Sequence, residues 1–146
     1  MAEIAGQIAA EEGFLVVTGG RGGVMEAAAV GAHRVAGSLT LGLLPSGEMS
    51  DGNPHLDIVI PTGIGYARNS ITALAGDVMV ALPGGQGTLQ EMSFAHDYGR
   101  PVLSWDSWTC IPGVRVVDRD NEMAVRDFLR EHFARLSAQP TKASER

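Results

Sequence analysis

Three glycine-rich turns, each placed between a short apolar run and a helix-like segment, constrain the fold of this chain most strongly. They are TGGRGG at residues 18–23, PTGIG at 61–65 and PGGQG at 83–87. Apolar runs of four to six residues that alternate with helical segments, without alternating polarity, are typical of a parallel sheet covered by helices on both faces. The sequence therefore predicts an α/β fold with a doubly wound parallel sheet.

The individual elements follow from the same pattern. The predicted strands are mostly apolar and cover residues 14–18, 40–44, 57–60, 78–82 and 101–104, with a short edge strand at 114–117. The predicted helices cover residues 2–12, 24–36, 70–75 and 89–98, with a last amphipathic helix that is capped at 120 or 121 and ends near 136. We expect a single domain over residues 1–136 and a flexible polar tail at 137–146.

The composition excludes several classes of function. The formal net charge of −6 argues against nucleic acid as a partner, because such proteins carry clustered basic side chains. The only lysine, Lys142, lies in the polar tail, which excludes a Schiff-base enzyme and a Walker-type ATPase. The single cysteine and the widely spaced histidines predict no disulfide and no metal site. No window is long and apolar enough for a membrane span, so we expect a cytoplasmic protein.

The glycine turns are the predicted ligand site. In parallel sheets, ligands bind beyond the carboxyl ends of the strands, where glycines let the backbone approach and helix N-termini attract anions. We therefore expect a small phosphorylated ligand at these turns. The predicted contacts are Gly19, Gly20, Arg21, Gly22, Gly23, Thr62, Gly63, Arg68, Asn69, Pro83, Gly84, Gly85, Gly87, Thr88 and Glu91.

Together, GGRGGVME, PTGIGYARN and PGGQGTLQE resemble a known superfamily over residues 3–135. It is the Rossmann-like superfamily of the Lonely Guy cytokinin-activating phosphoribohydrolases, long mislabelled as lysine decarboxylases. Within it, the chain is most similar to the molybdenum cofactor carrier proteins. The resemblance implies a binding or carrier protein that needs no cofactor of its own, with the molybdenum cofactor or a nucleoside monophosphate as its ligand.

The resemblance also implies an alternative, a phosphoribohydrolase in which Glu91 assists N-glycosidic cleavage and Arg68 lies beside it. A carboxylate can stabilise an oxocarbenium ion or activate water, and a guanidinium can hold an anion through two hydrogen bonds. The hydrolases usually have a lysine after the arginine, where this chain has Asn69, and commonly an acidic residue where it has Gln90. The sequence leaves open whether the protein is an enzyme; a lysine decarboxylase is not expected.

The family ordinarily begins with a central strand, which is missing before the first helix here. Either Met1 is a late start within a longer gene, or the sheet closes without its middle strand. In the expected strand order, that strand would pair with the 14–18 strand and with either the 57–60 or the 78–82 strand. Its absence exposes two strand edges, which favours association with another subunit. We therefore expect a homo-oligomer, a dimer or a tetramer. A third hypothesis is a subunit or remnant with no site of its own.

Two residue sets also have purely structural interpretations. Thr88 and Glu91 have the spacing of a helix capping box, in which each side chain binds the other's backbone N–H. Trp105 and Trp108 are typical of core or interface anchors.

Overall fold

The computed structural model describes residues 1–138 and confirms the α/β class. Residues 139–146, most of the predicted tail, lie outside the described part. The strands are β1 (Val16–Thr18), β2 (Thr40–Leu44), β3 (Ile58–Pro61), β4 (Met79–Ala81), β5 (Val102–Trp105) and β6 (Arg115–Val117). The helices are α1 (Ala2–Glu11), α2 (Val24–Ala32), α3 (Arg68–Ala75), α4 (Gln86–Asp97) and α5 (Glu122–Ser137), with short 3-10 turns at Met49–Asp51 and Gly65–Ala67.

The strands form two parallel sheets of three strands each. One has the order β1-β2-β3 and the other β4-β5-β6. Val17 is paired with Leu41 in the first sheet, and Val80 with Leu103 in the second. Within residues 1–138, no strand pairs with the outer side of β1 or β4. The expected gap in the sheet therefore lies between β1 and β4, and β3, at the position of the predicted 57–60 strand, does not border it.

The core lies on both faces of these sheets. Adjacent residues of β5 point in opposite directions: Val102 packs against α3 and α4, and Leu103 packs against α1 and α5. Trp105 is fully buried on the α5 side, where its indole N–H donates to the carbonyl oxygens of Asp118 and Arg119. The sequence predicted either a core or an interface role for Trp105, and the structure shows the core role, in which the buried indole N–H has its partners.

Helix boundaries differ from the predicted ones by up to four residues. The second helix ends at Ala32 and not at 36, since Val35 closes a tight turn by donating to the Ala32 carbonyl. The fourth helix begins at Gln86 and not at Leu89, because extended Gly85 already serves as its N-cap. Within residues 1–138, no helix combines the length and apolar character needed to cross a bilayer.

Candidate functional site

A cleft of about 820 Å³ separates the two sheets, with β1 on one side and β4 on the other. Its carboxyl end, where both strands stop, contains most of the predicted ligand contacts. The predicted residues that line it are Gly19, Arg21, Gly22, Arg68, Asn69, Pro83, Gly84, Gly85, Gly87, Thr88 and Glu91. The structure therefore brings the first and third glycine turns together across the gap in the sheet.

Four predicted contacts do not line the cleft. Gly20 and Gly23 have positive φ angles of 75° and 69°, which explains glycine at these positions by backbone conformation alone. The Thr62 hydroxyl donates to the Leu44 carbonyl at 2.6 Å, and neither residue lines the cleft. Gly63 also has a positive φ, 67°, in the turn after β3. The structure thus gives these residues a local role in their turns.

An ion pair between Arg68 and Glu91 joins α3 to α4 at this end of the cleft. Arg68 Nη1 lies 3.1 Å from Glu91 Oε1 and 3.3 Å from the Thr72 hydroxyl. The Arg68 side chain is only 9% exposed and that of Glu91 20%. A buried charge is costly unless it is paired, so each residue favours the charged form of the other and offsets part of the cost of burial.

The environment shifts both pKa values toward the neutral forms. Burial raises the pKa of Glu91 above its usual value, and the positive charge of Arg68 only partly opposes this. Burial likewise lowers the pKa of Arg68, although Glu91 opposes this, and the charge of Arg21 lowers it further. Arg21 is therefore close enough for its charge to affect Arg68, and two guanidinium groups share this end of the cleft with one carboxylate.

The backbone of the first turn packs directly against this ion pair. A Cβ added at Gly19 would lie 2.7 Å from the central guanidinium carbon of Arg68. Real Cβ atoms essentially never make so short a contact, and the neighbouring group is itself nearly buried. Glycine is therefore required at position 19 by packing, and the first turn fixes the position of the Arg68 charge.

The predicted capping box between Thr88 and Glu91 is wrong. Thr88 lies inside the first turn of α4, where its backbone N–H donates to the Gly85 carbonyl at 3.1 Å, and Glu91 binds Arg68 instead. Gly85 has φ −83° and ψ −157° and carries no side chain that could cap the helix. The N–H groups of Gln86 and Gly87 thus begin the helix without an intrahelical acceptor, as at every helix N-terminus.

The two positions that depart from the hydrolase pattern bind each other. The buried Asn69 donates from Nδ2 to Gln90 Oε1 at 2.9 Å. A lysine and an acidic residue at the same positions would form a charged pair, whereas here the contact is neutral. The departures are therefore matched, and they leave Arg68 and Glu91 as the only ion pair between α3 and α4 in the described residues.

Trp108 supports the third turn, a role that the sequence analysis missed. Its indole N–H donates to the Gly84 and Gly85 carbonyls at 3.1 and 3.3 Å, and the side chain is 37% exposed. These bonds fix the two peptides that precede α4. The signal in the sequence was weak, because Trp108 lies more than 20 residues after the turn and nothing local links the two.

Comparison with known proteins places the chain in a family. A model of the SLOG cluster4 family, LDcluster4, matches residues 1–132. The chain belongs to the SLOG cluster4 family. This confirms the resemblance inferred from the three glycine motifs, including its link to the molybdenum cofactor carrier branch.

Two similar solved structures are those of proteins named for binding or carrying the molybdenum cofactor. The molybdenum cofactor binding protein of Rippkaea orientalis is 35% identical, with a TM-score of 0.75 over 84% of this chain and 81% of that one. The molybdenum cofactor carrier protein of Chlamydomonas reinhardtii is 32% identical, with a TM-score of 0.78 over 92% and 87%. Both support the Rossmann-like fold.

A further relative is named as an enzyme. The cytokinin riboside 5'-monophosphate phosphoribohydrolase of Mycobacterium tuberculosis is 31% identical over 124 residues, which are 78% of this chain and 65% of the relative. The chain thus spans just under two thirds of that enzyme. The family relationship supports a ligand-binding role within the Lonely Guy group.

Proposed function

We propose that this protein binds a phosphate-bearing ligand, a nucleotide or a pterin-type compound such as the molybdenum cofactor, and carries it without converting it. The observation that carries this proposal is the meeting of Arg21 and Arg68 at one end of the cleft against the single carboxylate of Glu91. Among the residues that line this end of the cleft, one positive charge is in excess. An anionic ligand supplies the missing negative charge.

The phosphate is assigned to the PGG turn and the N-terminus of α4. The first turn of this twelve-residue helix lines the end of the cleft, and the positive end of a helix dipole favours an anion by about 0.3–1 kcal/mol. A Cβ built at Gly85 would meet no atom within 4 Å, so the backbone here is open to a ligand. Trp108 holds the turn in place from behind.

The ring system of the ligand is assigned to the apolar part of the cleft beside the first and second turns. Tyr66 lines the cleft and is 83% exposed, and Pro45 lies on the same wall. An exposed aromatic ring at a cleft is suited to stacking against a flat heterocycle, whether a pterin or a purine.

Carriage is favoured over hydrolysis by the neutral contact between Asn69 and Gln90. The hydrolases usually have charged residues at both positions, so this chain lacks that part of their electrostatic field. The two solved neighbours named for molybdenum cofactor binding are in line with this choice. In this proposal the cofactor is cargo, and no resident cofactor takes part.

Phosphoribohydrolysis is the second candidate, and Glu91 is the observation that favours it. Burial raises its pKa, which allows this carboxyl to hold a proton for a leaving base, and Arg68 lies 3.1 Å away. Under this hypothesis, the release of the base from a nucleoside monophosphate requires Glu91. Prolonged incubation with several nucleotides separates the candidates, because a carrier releases no base from any of them.

The test of the proposal is calorimetry with matched ligand pairs, AMP against adenosine and a phosphorylated pterin against the same pterin. We expect at least tenfold tighter binding of the phosphorylated member, about 1.4 kcal/mol. Gly85→Val should abolish this binding with little loss of stability, since its side chain enters open space. Gly47→Val, at an exposed glycine with equally open space outside the cleft, is the matched control.

Failure has two distinguishable forms. Equal affinity for both members of a pair would remove the phosphate assignment. Binding of neither member would favour a subunit without a site of its own.

The assembly is proposed to be a homo-oligomer. Ile58 and Ile60 are each 42% exposed on β3, the outer strand of its sheet, and such apolar edge surface favours burial against a second copy. Sedimentation at tens of micromolar should show a dimer or a tetramer. A single 15 kDa species would contradict this.

A further inference from the structure

The first glycine turn is held in place by a side chain outside the three sequence motifs, Asn53. The backbone N–H of Asn53 donates to the Gly20 carbonyl at 2.9 Å. Its side-chain Nδ2 donates to the Gly20 and Arg21 carbonyls at 3.3 and 3.0 Å. Asn53 is buried and does not line the cleft. Two successive carbonyl groups of the first turn therefore bind one buried residue outside the cleft.

The sequence around Asn53 fixes the direction of its side chain. Asn53 Oδ1 accepts the backbone N–H of His55, two residues further on, at 3.0 Å, which is the hydrogen bond of an Asx-turn. Pro54 stands between them, and an asparagine before a proline favours such a turn. Because the amide oxygen binds this N–H, the amide nitrogen faces the two carbonyls of the first turn. An aspartate of the same shape would place an oxygen against both carbonyls, so an amide fits this position and a carboxylate does not.

The direction of the two carbonyls determines the direction of two N–H groups. In a trans peptide, the C=O of one residue and the N–H of the next point to opposite sides. Since the carbonyls of Gly20 and Arg21 point to Asn53, the N–H groups of Arg21 and Gly22 point away from it. Asn53 follows β2, which pairs with β1 on the side opposite the cleft. The two N–H groups therefore face the cleft, which both residues line.

These two N–H groups are available to a ligand. Among residues 1–138, neither has a hydrogen-bond acceptor. The Glu26 carboxylate lies near Gly22, but it does not line the cleft and lies 3.8 Å from His55. Successive backbone N–H groups in a turn form a concave site for an anion. The first turn thus adds backbone donors to the end of the cleft that also contains Arg68 and the N-terminus of α4.

We propose that Asn53 is a positioning residue of the ligand site, which directs the N–H groups of Arg21 and Gly22 toward the phosphate of the ligand. This inference rests on the proposed binding of a phosphate-bearing ligand. Asn53 lies outside the cleft and acts through the turn. Glycines stand on both sides of Arg21, and they permit many backbone conformations. Without the two Nδ2 hydrogen bonds, the two peptides can rotate, and their N–H groups lose their common direction.

Calorimetry on Asn53→Ala tests this role, with AMP against adenosine and a phosphorylated pterin against the same pterin. We expect the variant to bind the phosphorylated member about fivefold more weakly than the wild type does, the effect of losing about one hydrogen bond. Its affinity for the unphosphorylated member should be unchanged, because only the phosphate uses the two N–H groups. A general loosening of the fold would instead weaken the binding of both members alike.

Asn121→Ala is the matched control. The Asn121 side chain also binds the backbone, since its Oδ1 accepts the N–H of Ala124 in the first turn of α5. Asn121 does not line the cleft. This variant should be less stable in thermal unfolding, because α5 loses its N-cap, and should bind all four probes like the wild type.

Amide NMR of the wild type gives a second readout, which does not depend on the folding of a variant. Saturation with the phosphorylated probe that binds should move the amide proton signals of Arg21 and Gly22 downfield, because an N–H that donates to a phosphate is deshielded. The unphosphorylated member of the pair should not cause this shift. The amide signal of His55, whose N–H is bound to Asn53, should stay in place.

Three results would overturn this inference while the proposed function stands. They are a preference for the phosphorylated probe that persists unchanged in Asn53→Ala, an equal loss of affinity for both members of a pair in that variant, and signals of Arg21 and Gly22 that do not move when the phosphorylated probe binds. Equal affinity of the wild type for both members of each pair is a different outcome. It overturns the proposed phosphate site, and this inference with it.

Discussion

The guanidinium group of Arg68 lies directly against the Cα of Gly19, with no room for a Cβ between them. This contact joins the turn after β1 to the helix that follows β3, across the gap between the two sheets. The charge of Arg68 is thereby held at the carboxyl end of the cleft by the backbone of one turn and by the Glu91 carboxylate of another helix. The ligand site is thus assembled from distant parts of the chain.

Gly19→Ala should displace Arg68 and weaken both folding and ligand binding. The new methyl group overpacks a nearly buried charge, and such overpacking costs about 1–3 kcal/mol. Thermal unfolding and calorimetry measure the two effects. Gly47→Ala, at an exposed glycine with no atom within 4 Å of the added Cβ, should change neither. Wild-type affinity in Gly19→Ala would show that the position of Arg68 does not matter for binding.

Trp108→Phe should weaken ligand binding about fivefold, with a small change in stability. The variant keeps an aromatic ring but loses the N–H that donates to Gly84 and Gly85, a loss of about 1 kcal/mol. Trp105→Phe gives the opposite pattern, since its lost N–H served the buried core: lower stability and unchanged affinity. An equal affinity loss in both variants would mean that Trp108 does not act through the turn.

Glu91→Gln should flatten part of the pH dependence of stability. Burial raises the pKa of Glu91 in the folded protein above its usual value of 4.5, so between the two values the folded state binds more protons than the unfolded state. The free energy of unfolding therefore falls as the pH rises through this window. Denaturant titrations from pH 4 upward should show this decline in the wild type and not in the variant. An identical slope in both proteins would contradict the shift.

The pair of helices α1 and α5 should respond to acid in the opposite sense. Hydrogen bonds from Arg130, opposed in part by desolvation, together with those from Arg126 lower the pKa of Glu12 below 4.5. This carboxylate stabilises the fold at pH values above 4.5, and the stabilisation is lost as the pH falls through the lowered pKa. Glu12→Gln should reduce stability at neutral pH and reduce the loss of stability in acid. Parallel acid titration curves for both proteins would refute this.

The fold was predictable because its signals are local. An apolar run, a glycine turn and a helix repeat along the chain, and each needs only neighbouring residues to be recognised. The gap between β1 and β4 in the described residues was also predictable, because the family's central strand ordinarily stands before the helix that opens residues 1–138. The helix ends were harder to predict. Gly85 is the N-cap of α4, so the helix begins three residues earlier than expected and Thr88 lies inside it.

The site was predictable in composition but not in its contacts. The motif spacing selected Arg68 and Glu91, and the structure joins them at 3.1 Å. The pairing of Asn69 with Gln90 and the support from Trp108 depend on how α3, α4 and the loop after β5 pack together. No local pattern encodes such packing, which explains why Thr62 was also selected although its hydroxyl binds a backbone carbonyl outside the cleft.

The most direct test of the phosphate site is the preference for a phosphorylated ligand in the wild type and in Arg21→Gln. Arg21 is exposed, so its replacement removes one positive charge from the site without burying an unpaired group. Calorimetry gives the ratio of the two dissociation constants for one matched ligand pair in each protein. We expect the dissociation constant of the unphosphorylated ligand to be at least ten times that of the phosphorylated ligand in the wild type. This ratio should fall several-fold in Arg21→Gln and stay unchanged in the exposed control Arg115→Gln. A ratio near one in the wild type, or the same ratio in Arg21→Gln, would contradict it.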